Sequence, residues 1–366
     1  MYPDYNNCLV NVSNSILKHY GAKPAHGSLP QLDKYLEKDY KNVIILLYDA
    51  FGSNLIKRHL SEYSFLNKNK IKDITSVFPA TTVAATTSIM SGLTPAQHCW
   101  LGWDNYIKSI DKIITMYKSV EKGVDTKIAD SSLCKKEFPY ITIFDKINET
   151  ENAKAYCISP HEGILYNTDN LQEIYDKIAE LCNTDEKKFI YAYCEEPDHS
   201  MHEYGTEDEK VIKIMQFLDK KTEELSSKLQ DTLLIVTADH GHITVGDYIV
   251  LDDYPHLKDM LVRETSLEPR ATNFFVKEDM LQEFQKEFNK LFRNDFILLS
   301  KQEVLEKQLF GDGTPNEKFD SCLGDFVSLA ISNKAFRDTY NAKFQKGLHA
   351  GITEDEVLVP LIVVET

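Results

Sequence analysis

The chain has 366 residues, 42% hydrophobic and 27% charged, with a formal net charge of −16, so it is long enough for one large α/β domain with an insertion. That charge repels polyanions and excludes a nucleic acid polymer as a bulk partner, but not a small phosphorylated substrate, because a bound cation inverts the local field. No apolar run reaches the roughly 18 residues of a membrane span, no basic and apolar leader opens the chain, and the seven cysteines are scattered without a CxxC pair, so the expectation is a cytoplasmic protein with reduced thiols and no membrane partner.

The run Asn42–Tyr48 is almost wholly apolar, as expected of a strand covered on both faces. A second apolar run ends at Val77-Phe78-Pro79 and leads into a small-residue segment, Thr82 to Ile89, which reads as a helix closed by Ser91-Gly92. Ala153–Ile158, Lys188–Tyr193, Thr232–Thr237 and Glu356–Val364 read as further strands. Leu171, Ile174, Ile178 and Leu181 form one helical stripe after a Thr168/Asp169 cap. Val211, Met215, Leu218, Thr222, Leu225 and Leu229 form another, on a helix starting near Glu207. Both stripes are core-facing packing surfaces. The alternation predicts an α/β fold, a mostly parallel sheet with helices on both faces. Between residues 245 and 336 the texture changes to a strand at Arg270–Lys277, a charged helix at Glu278–Phe292, a turn at Gly311–Pro315 and a strand at Phe326–Ile331. The expected organisation is a catalytic core, 1–244 and 337–366, and a small α+β insertion (cap), 245–336.

Acidic and imidazole groups fall just beyond the carboxyl ends of the predicted strands. Asp49 follows Tyr48, Asp198 and His202 follow the Lys188–Tyr193 run, Asp239 and His240 follow Thr237, and Thr82 follows the strand ending near Val77. In an open parallel sheet that edge is where ligands bind. Alone, a strand-end Asp is often a helix N-cap, Thr81 or Thr82 an ordinary cap, and one His a packed side chain. Four segments delivering such groups to one edge argue for a site. Asp198 and His202, four apart, face the same way on a helical turn and can grip one cation. Imidazoles mixed with carboxylates suit zinc, with manganese or iron compatible, whereas calcium and magnesium sites use oxygens alone. Thr82 lies where a helix N-terminus favours a phosphate.

The fragments LLYDAFG, TTVAATTSIMSGLTPAQH, EPDHSMH, TADHGH and LHAGITEDEVLVPLIV, in that order, resemble the alkaline phosphatase superfamily, and within it the type I phosphodiesterase/nucleotide pyrophosphatase branch. The resemblance implies an alkaline-phosphatase-like fold and a two-metal hydrolase of phosphate esters acting through a phospho-threonine. By the family pattern Thr82, ten residues before Gly92, is the nucleophile. Asp198, His202 and His349 hold one zinc; Asp49, Thr82, Asp239 and His240 hold the other. His349 enters through the resemblance alone. The branch has Asn five residues after the His matching His98; here Trp103 stands there, and Asn105 is the candidate to hold a phosphate oxygen. His242 and His199 are extra histidines expected to hydrogen-bond beside the ligands. Trp100 and Trp103 are placed either to stack on a nucleobase or to pack under the insertion. No Arg close to Thr82 in sequence matches the one that phosphomonoesterases direct at a dianion, unless Arg263 or Arg270 folds in, which favours a diester, nucleotides included. The alternatives are a phosphonate hydrolase, a phosphomonoesterase and, in a different class, a non-catalytic zinc-binding protein.

Overall fold

The apolar runs pair into one six-stranded sheet in the order Lys70–Thr75, Leu358–Glu365, Thr232–Thr237, Asn42–Tyr48, Lys188–Cys194, Lys154–Ile158. This computed structural model describes residues 1–124, 132–160 and 170–366. All strands run parallel except Leu358–Glu365, which is antiparallel to both its neighbours. All seven residues of Asn42–Tyr48 are buried. Successive side chains of a strand point to opposite faces, so burial of every one requires cover on both.

The two helical stripes supply part of that cover. In the helix Leu171–Cys182 the buried residues are Ile174, Tyr175, Ile178 and Leu181, and in Glu209–Ser226 they include Val211, Met215, Leu218, Thr222 and Leu225. Thr168 and Asp169 lie outside the described residues; Asn170 caps the first helix by accepting from the Gln172 and Glu173 N–H groups. Tyr48 ties both helices to the sheet, its hydroxyl lying 2.6 Å from that of Tyr175 and 2.7 Å from that of Thr222. A buried phenol placed this way has its polar atom satisfied without solvent.

A second sheet has seven antiparallel strands in the order Phe296–Ser300, Phe326–Ala330, Ala271–Phe274, Ser266–Glu268, Asp104–Ile107, Lys112–Thr115, Val120–Glu121. Of the strands of 245–336, Asp247–Val250 pairs apart with Lys334–Arg337, and the others share this sheet with strands from outside the segment. The pairing Leu267↔Asp104 joins them to the hairpin strands that follow the Thr82 helix. Behind this sheet the helix Leu281–Phe292 buries Phe284, Phe288 and Phe292, spaced by four, against Phe274, Phe296, Phe326 and Phe336. The insertion is clamped to the core by a fully buried pair: Arg270 donates to the two carboxylate oxygens of Glu356 at 2.6 and 2.7 Å. Glu356 also accepts from the Gly351 N–H at 2.7 Å, two residues beyond His349. Among the described residues no helix is long and apolar enough to cross a membrane.

Candidate active site

The strand Asn42–Tyr48 ends at Asp49, whose N–H donates to Cys194 O and whose carbonyl accepts from the Asp198 N–H. Three carboxylates, Asp49 and Asp239 buried and Asp198 half-buried, are thereby drawn to one edge, because Asp239 follows the neighbouring strand Thr232–Thr237. The strand Lys70–Thr75 leaves the sheet at the same edge, and the chain turns through Ser76-Val77 into the helix Thr82–Ser91, which ends as expected with Gly92 in the left-handed region, φ 72°.

Thr82 Oγ1 lies 3.1 Å from His240 Nε2 and 3.4 Å from Asp49 Oδ2. His240 Nε2 is also 3.2 Å from Asp49 Oδ1 and 3.6 Å from Asp239 Oδ2. Alongside, Asp198 Oδ2 is 3.2 Å from His202 Nε2, and Asp198 Oδ1 is 3.9 Å from His349 Nε2. All seven residues expected from the sequence meet in one place. The six carboxylate and imidazole residues among them, with His242 added, fall into three groups whose ligand atoms lie within 4.8 Å of one another: Asp49/Asp239/His240, Asp198/His240/His349 and Asp198/His202/His242. His349 thus bridges the two halves, its ring stacked on His240 at 3.9 Å and 5.3 Å from that of His202. His242 stands beside the second half, its Nε2 3.4 Å from Asp198 Oδ1.

The electrostatics of this cluster fit a bound cation. Asp49 is held well above the usual carboxylate range by burial and by Asp239 and Asp198. Three carboxylates taken out of water together are costly unless a positive charge sits among them. Asp198 goes the other way, well below the usual range, because the histidines around it outweigh its burial. Burial lowers His349 well below its usual value and brings His242 to about 4, and such neutral imidazoles are ligands. His202 is raised, Asp198 outweighing its burial. Asp49 Oδ1, Asp198 Oδ1, Asp239 Oδ2 and His242 Nε2 are buried without a hydrogen-bond partner. Such orphans on one spot are what a metal would satisfy.

Beside the cluster opens a cavity of about 580 Å³, lined by Thr82, Asp198, His202 and His349 on the core side. Trp103, Asp104, Lys118, Lys122, Glu268 and Lys343 line its other walls. Asn105 is not among its lining residues. On the strand Asp104–Ile107 it takes the side opposite Asp104, is 1% exposed, and donates its amide to Cys99 O at 2.7 Å. Where the sequence expectation puts a phosphate oxygen on Asn105, the structure has its amide turned to the carbonyl of Cys99, six residues back along the chain. The tryptophans divide. Trp100 is buried and donates to Phe138 O, whereas Trp103 is 38% exposed, faces the cavity and has Lys118 Nζ 5.6 Å from its ring. His98 is buried, with Nε2 3.0 Å from Ser88 Oγ, and His199 lines the cavity without joining the ligand groups.

Two residues that sequence reasoning passed over stand in the site. Tyr193 donates its hydroxyl to Asp49 Oδ2; its place at the carboxyl end of the strand Lys188–Cys194 was the available signal. Glu268 accepts from Thr81 Oγ1 at 2.6 Å and from the Trp103 N–H at 2.7 Å, and burial pushes it up to about 7. Its approach depends on the Leu267↔Asp104 pairing, which no local pattern announces. Arg263 pairs with Asp111 and Arg270 with Glu356, and neither lines the cavity.

The model of the type I phosphodiesterase / nucleotide pyrophosphatase family matches residues 165–327. No curated relative matches the chain by sequence. Among solved structures, murine ectonucleotide pyrophosphatase / phosphodiesterase 5 superposes with a TM-score of 0.70 at 17% identity, over 88% of each chain. An inactive form of that murine protein in complex with AMP gives 0.69 at 17%, over 88% of this chain and 87% of that one. Phosphonoacetate hydrolase from Sinorhizobium meliloti 1021, in complex with phosphonoformate, gives 0.66 at 15%, over 87% of this chain and 89% of that one. The resemblance carried by the motifs therefore holds: residues 165–327 match the type I phosphodiesterase / nucleotide pyrophosphatase family, and the chain has the alkaline-phosphatase-like fold.

Proposed function

We propose that this chain is a metal-dependent hydrolase of phosphate esters, a phosphodiesterase/nucleotide pyrophosphatase working through a phospho-threonine on Thr82. The observation that carries the reading is the placement of the Thr82 hydroxyl, at a helix N-terminus, between Asp49 and His240 and at the wall of the cavity. Asp49, Thr82, Asp239 and His240 would hold one divalent cation and Asp198, His202 and His349 a second, zinc by the chemistry of the donors, with manganese compatible. Bound there, such cations supply Lewis-acid stabilisation of the charge that develops on phosphoryl and leaving oxygens.

The chain's own residues do the rest. His240 Nδ1 lies 2.9 Å from Gly241 O, and since a carbonyl only accepts, Nδ1 carries the proton and Nε2 of the neutral ring accepts. The Thr82 hydroxyl hydrogen thus points to Asp49 or His240, leaving an oxygen lone pair free to face the cavity. The first N–H groups of the helix have no partner within it and, with the dipole, favour the phosphoryl oxygens of a substrate at that end. Tyr193, itself at the cavity wall, fixes Asp49 through its hydroxyl.

Two features favour a singly charged diester over a dianionic monoester. Neither Arg263 nor Arg270 reaches the cavity, and Arg337, which does line it, donates from its guanidinium to the carbonyls of Tyr340 and Ala342. Glu268 brings a carboxyl to the same wall, which would oppose a second negative charge on the phosphoryl group. Trp103 offers an exposed ring for a nucleobase or aryl group, in keeping with the AMP held by the murine protein. A second reading, phosphonate hydrolysis, is favoured by Lys118 and Lys343, which line the cavity and suit an anionic group remote from phosphorus.

The test is Thr82→Ala on zinc-loaded protein, assayed with an aryl diester. The expected fall in kcat is at least about 1,000-fold with the protein still folded; near-normal turnover would remove Thr82 from the mechanism. A panel of diester, monoester, nucleotide and phosphonate, run with zinc and then manganese, fixes the class. Strong monoester preference would sink the diesterase reading.

A further inference from the structure

We propose that His242 is a direct metal ligand, the fourth protein donor to the cation at Asp198 and His202. The inference rests on reading the cluster as a metal centre. His242 Nε2 lies 3.4 Å from Asp198 Oδ1, and the ligand atoms of Asp198, His202 and His242 fall within 4.8 Å of one another. The ring is fully buried and packs edge-on against His202, centroids 4.9 Å apart, and His349, 5.5 Å apart. Its place is fixed by Gly347, where a Cβ would come within 2.6 Å of His242 Cε1.

The backbone sets the tautomer. His202 Nδ1 sits 2.8 Å from Gly347 O, His240 Nδ1 2.9 Å from Gly241 O, His349 Nδ1 3.2 Å from Ala80 O, and His242 Nδ1 3.2 Å from Ile243 O. A carbonyl can only accept, so in each neutral ring the proton is on Nδ1 and the Nε2 lone pair is open. Four imidazoles share this ligating arrangement, and His242 shares it fully. Its Nε2 and Asp198 Oδ1 both lack a hydrogen-bond partner of good geometry. A hydrogen bond between them would need a second proton on a ring that already donates through Nδ1. A cation between them needs none.

The consequence is a chemical asymmetry. Asp198, His202, His242 and His349 give one oxygen-donor residue and three nitrogens; Asp49, Asp239, Thr82 and His240 give three oxygen-donor residues and one nitrogen. Imidazole-rich sites favour zinc, oxygen-rich sites accept manganese or magnesium. The His242 side therefore retains zinc selectively, while its neighbour exchanges metal.

The test uses the metal-stripped full chain and needs no substrate. Long-range proton–nitrogen spectra of wild-type protein, titrated with zinc, should move the His242 Nε2 resonance from the free-lone-pair position toward the coordinated one as the first equivalent enters. With cobalt(II), wild type should show a d–d band of a nitrogen-rich site that shifts and weakens in His242→Ala and His242→Gln. Zinc affinity should fall by more than the about 10–100-fold typical of losing a hydrogen-bonding neighbour. An unmoved His242 resonance at saturating zinc, or an unchanged cobalt spectrum in the variants, overturns the proposal. Should both variants fail to fold, the wild-type nitrogen shift decides alone. An active enzyme with an unmoved resonance sinks only this proposal, while zinc-loaded protein inert toward every ester and phosphonate sinks only the hydrolase reading.

Discussion

Glu268 shows how a single side chain couples the cavity to solution conditions. Burial raises its carboxyl to about 7, against 4.5 when exposed, while its Oε1 holds Thr81 and the Trp103 N–H. Between those values the folded state binds a proton that the unfolded chain has released. Stability contributed by this group is therefore full below about 4.5, declines as pH rises through 7 and is flat above. Glu268→Gln keeps an oxygen to accept both bonds and removes the titration. It should flatten that decline, leaving the variant more stable than wild type at pH 8 by on the order of 2–3 kcal/mol and little changed at pH 4.5. Urea midpoints at the two pH values check it; parallel losses in both proteins would refute it. Glu268 was not legible beforehand, whereas Asp49 and Asp239 were, because each directly follows an apolar run that could only be a buried strand. The partners of Glu268 come from residues 81 and 103, brought close by tertiary pairing. His349 is similar, fixed by Ala80 O across 269 positions of chain, with no strand of its own to announce it.

At the scale of elements, what the periodicity of side chains could convey was the central sheet. Seven consecutive buried residues in Lys188–Cys194 and six in Thr232–Thr237 have one physical reading. The second sheet was half hidden because Asp104–Ile107 and Lys112–Thr115 are short and form a local hairpin, joined to the rest of the sheet only where Asp104 meets Leu267, about 160 residues on. The site also depends on a close approach invisible in one dimension. Gly241, inside the DHGH turn, donates its N–H to Glu356 O at 2.8 Å, and a Cβ there would lie 1.9 Å from Asp355 O. No rotamer relieves a clash between a Cβ and a backbone oxygen, so the turn or the Glu354–Val357 helix must move. Gly241→Ala should cost about 3 kcal/mol or more and, by shifting His240 and His242, lower bound zinc. Gly27→Ala, whose Cβ would meet nothing within 4 Å, is the control and should stay within about 0.5 kcal/mol. Melting curves with zinc analysis read both effects. Full zinc occupancy in Gly241→Ala would mean the turn does not position the ligands.

Across the whole molecule, the site is where the two sheets are held in register. The carboxylates hang from the central sheet, while Trp103, Lys118 and Glu268 reach the cavity from the second, and the Arg270–Glu356 pair locks the two together behind His349. A cation at the junction has ligands from the ends of three core strands and from the segment Gly347–His349, so binding opposes separation of all of them. Unfolding scatters the ligands, and the metal stabilises the folded state by RT ln(1 + [M]/Kd), about 2.7 kcal/mol for each site at a hundredfold excess over Kd. With an unfolding entropy proportional to a chain of 366 residues, each such site corresponds to roughly 3–4 °C in Tm. Stripping the metal with a chelator should therefore lower Tm by several degrees. Zinc should restore it in two steps, and magnesium in no more than one, because only the oxygen-rich half suits a hard cation. Metal-free protein should gain more from added zinc near pH 8 than near pH 6, because protons compete with zinc for the imidazoles and carboxylates. Calorimetry of chelated and reloaded protein at both pH values provides the measurement; a Tm indifferent to chelation would mean that no cation occupies the junction.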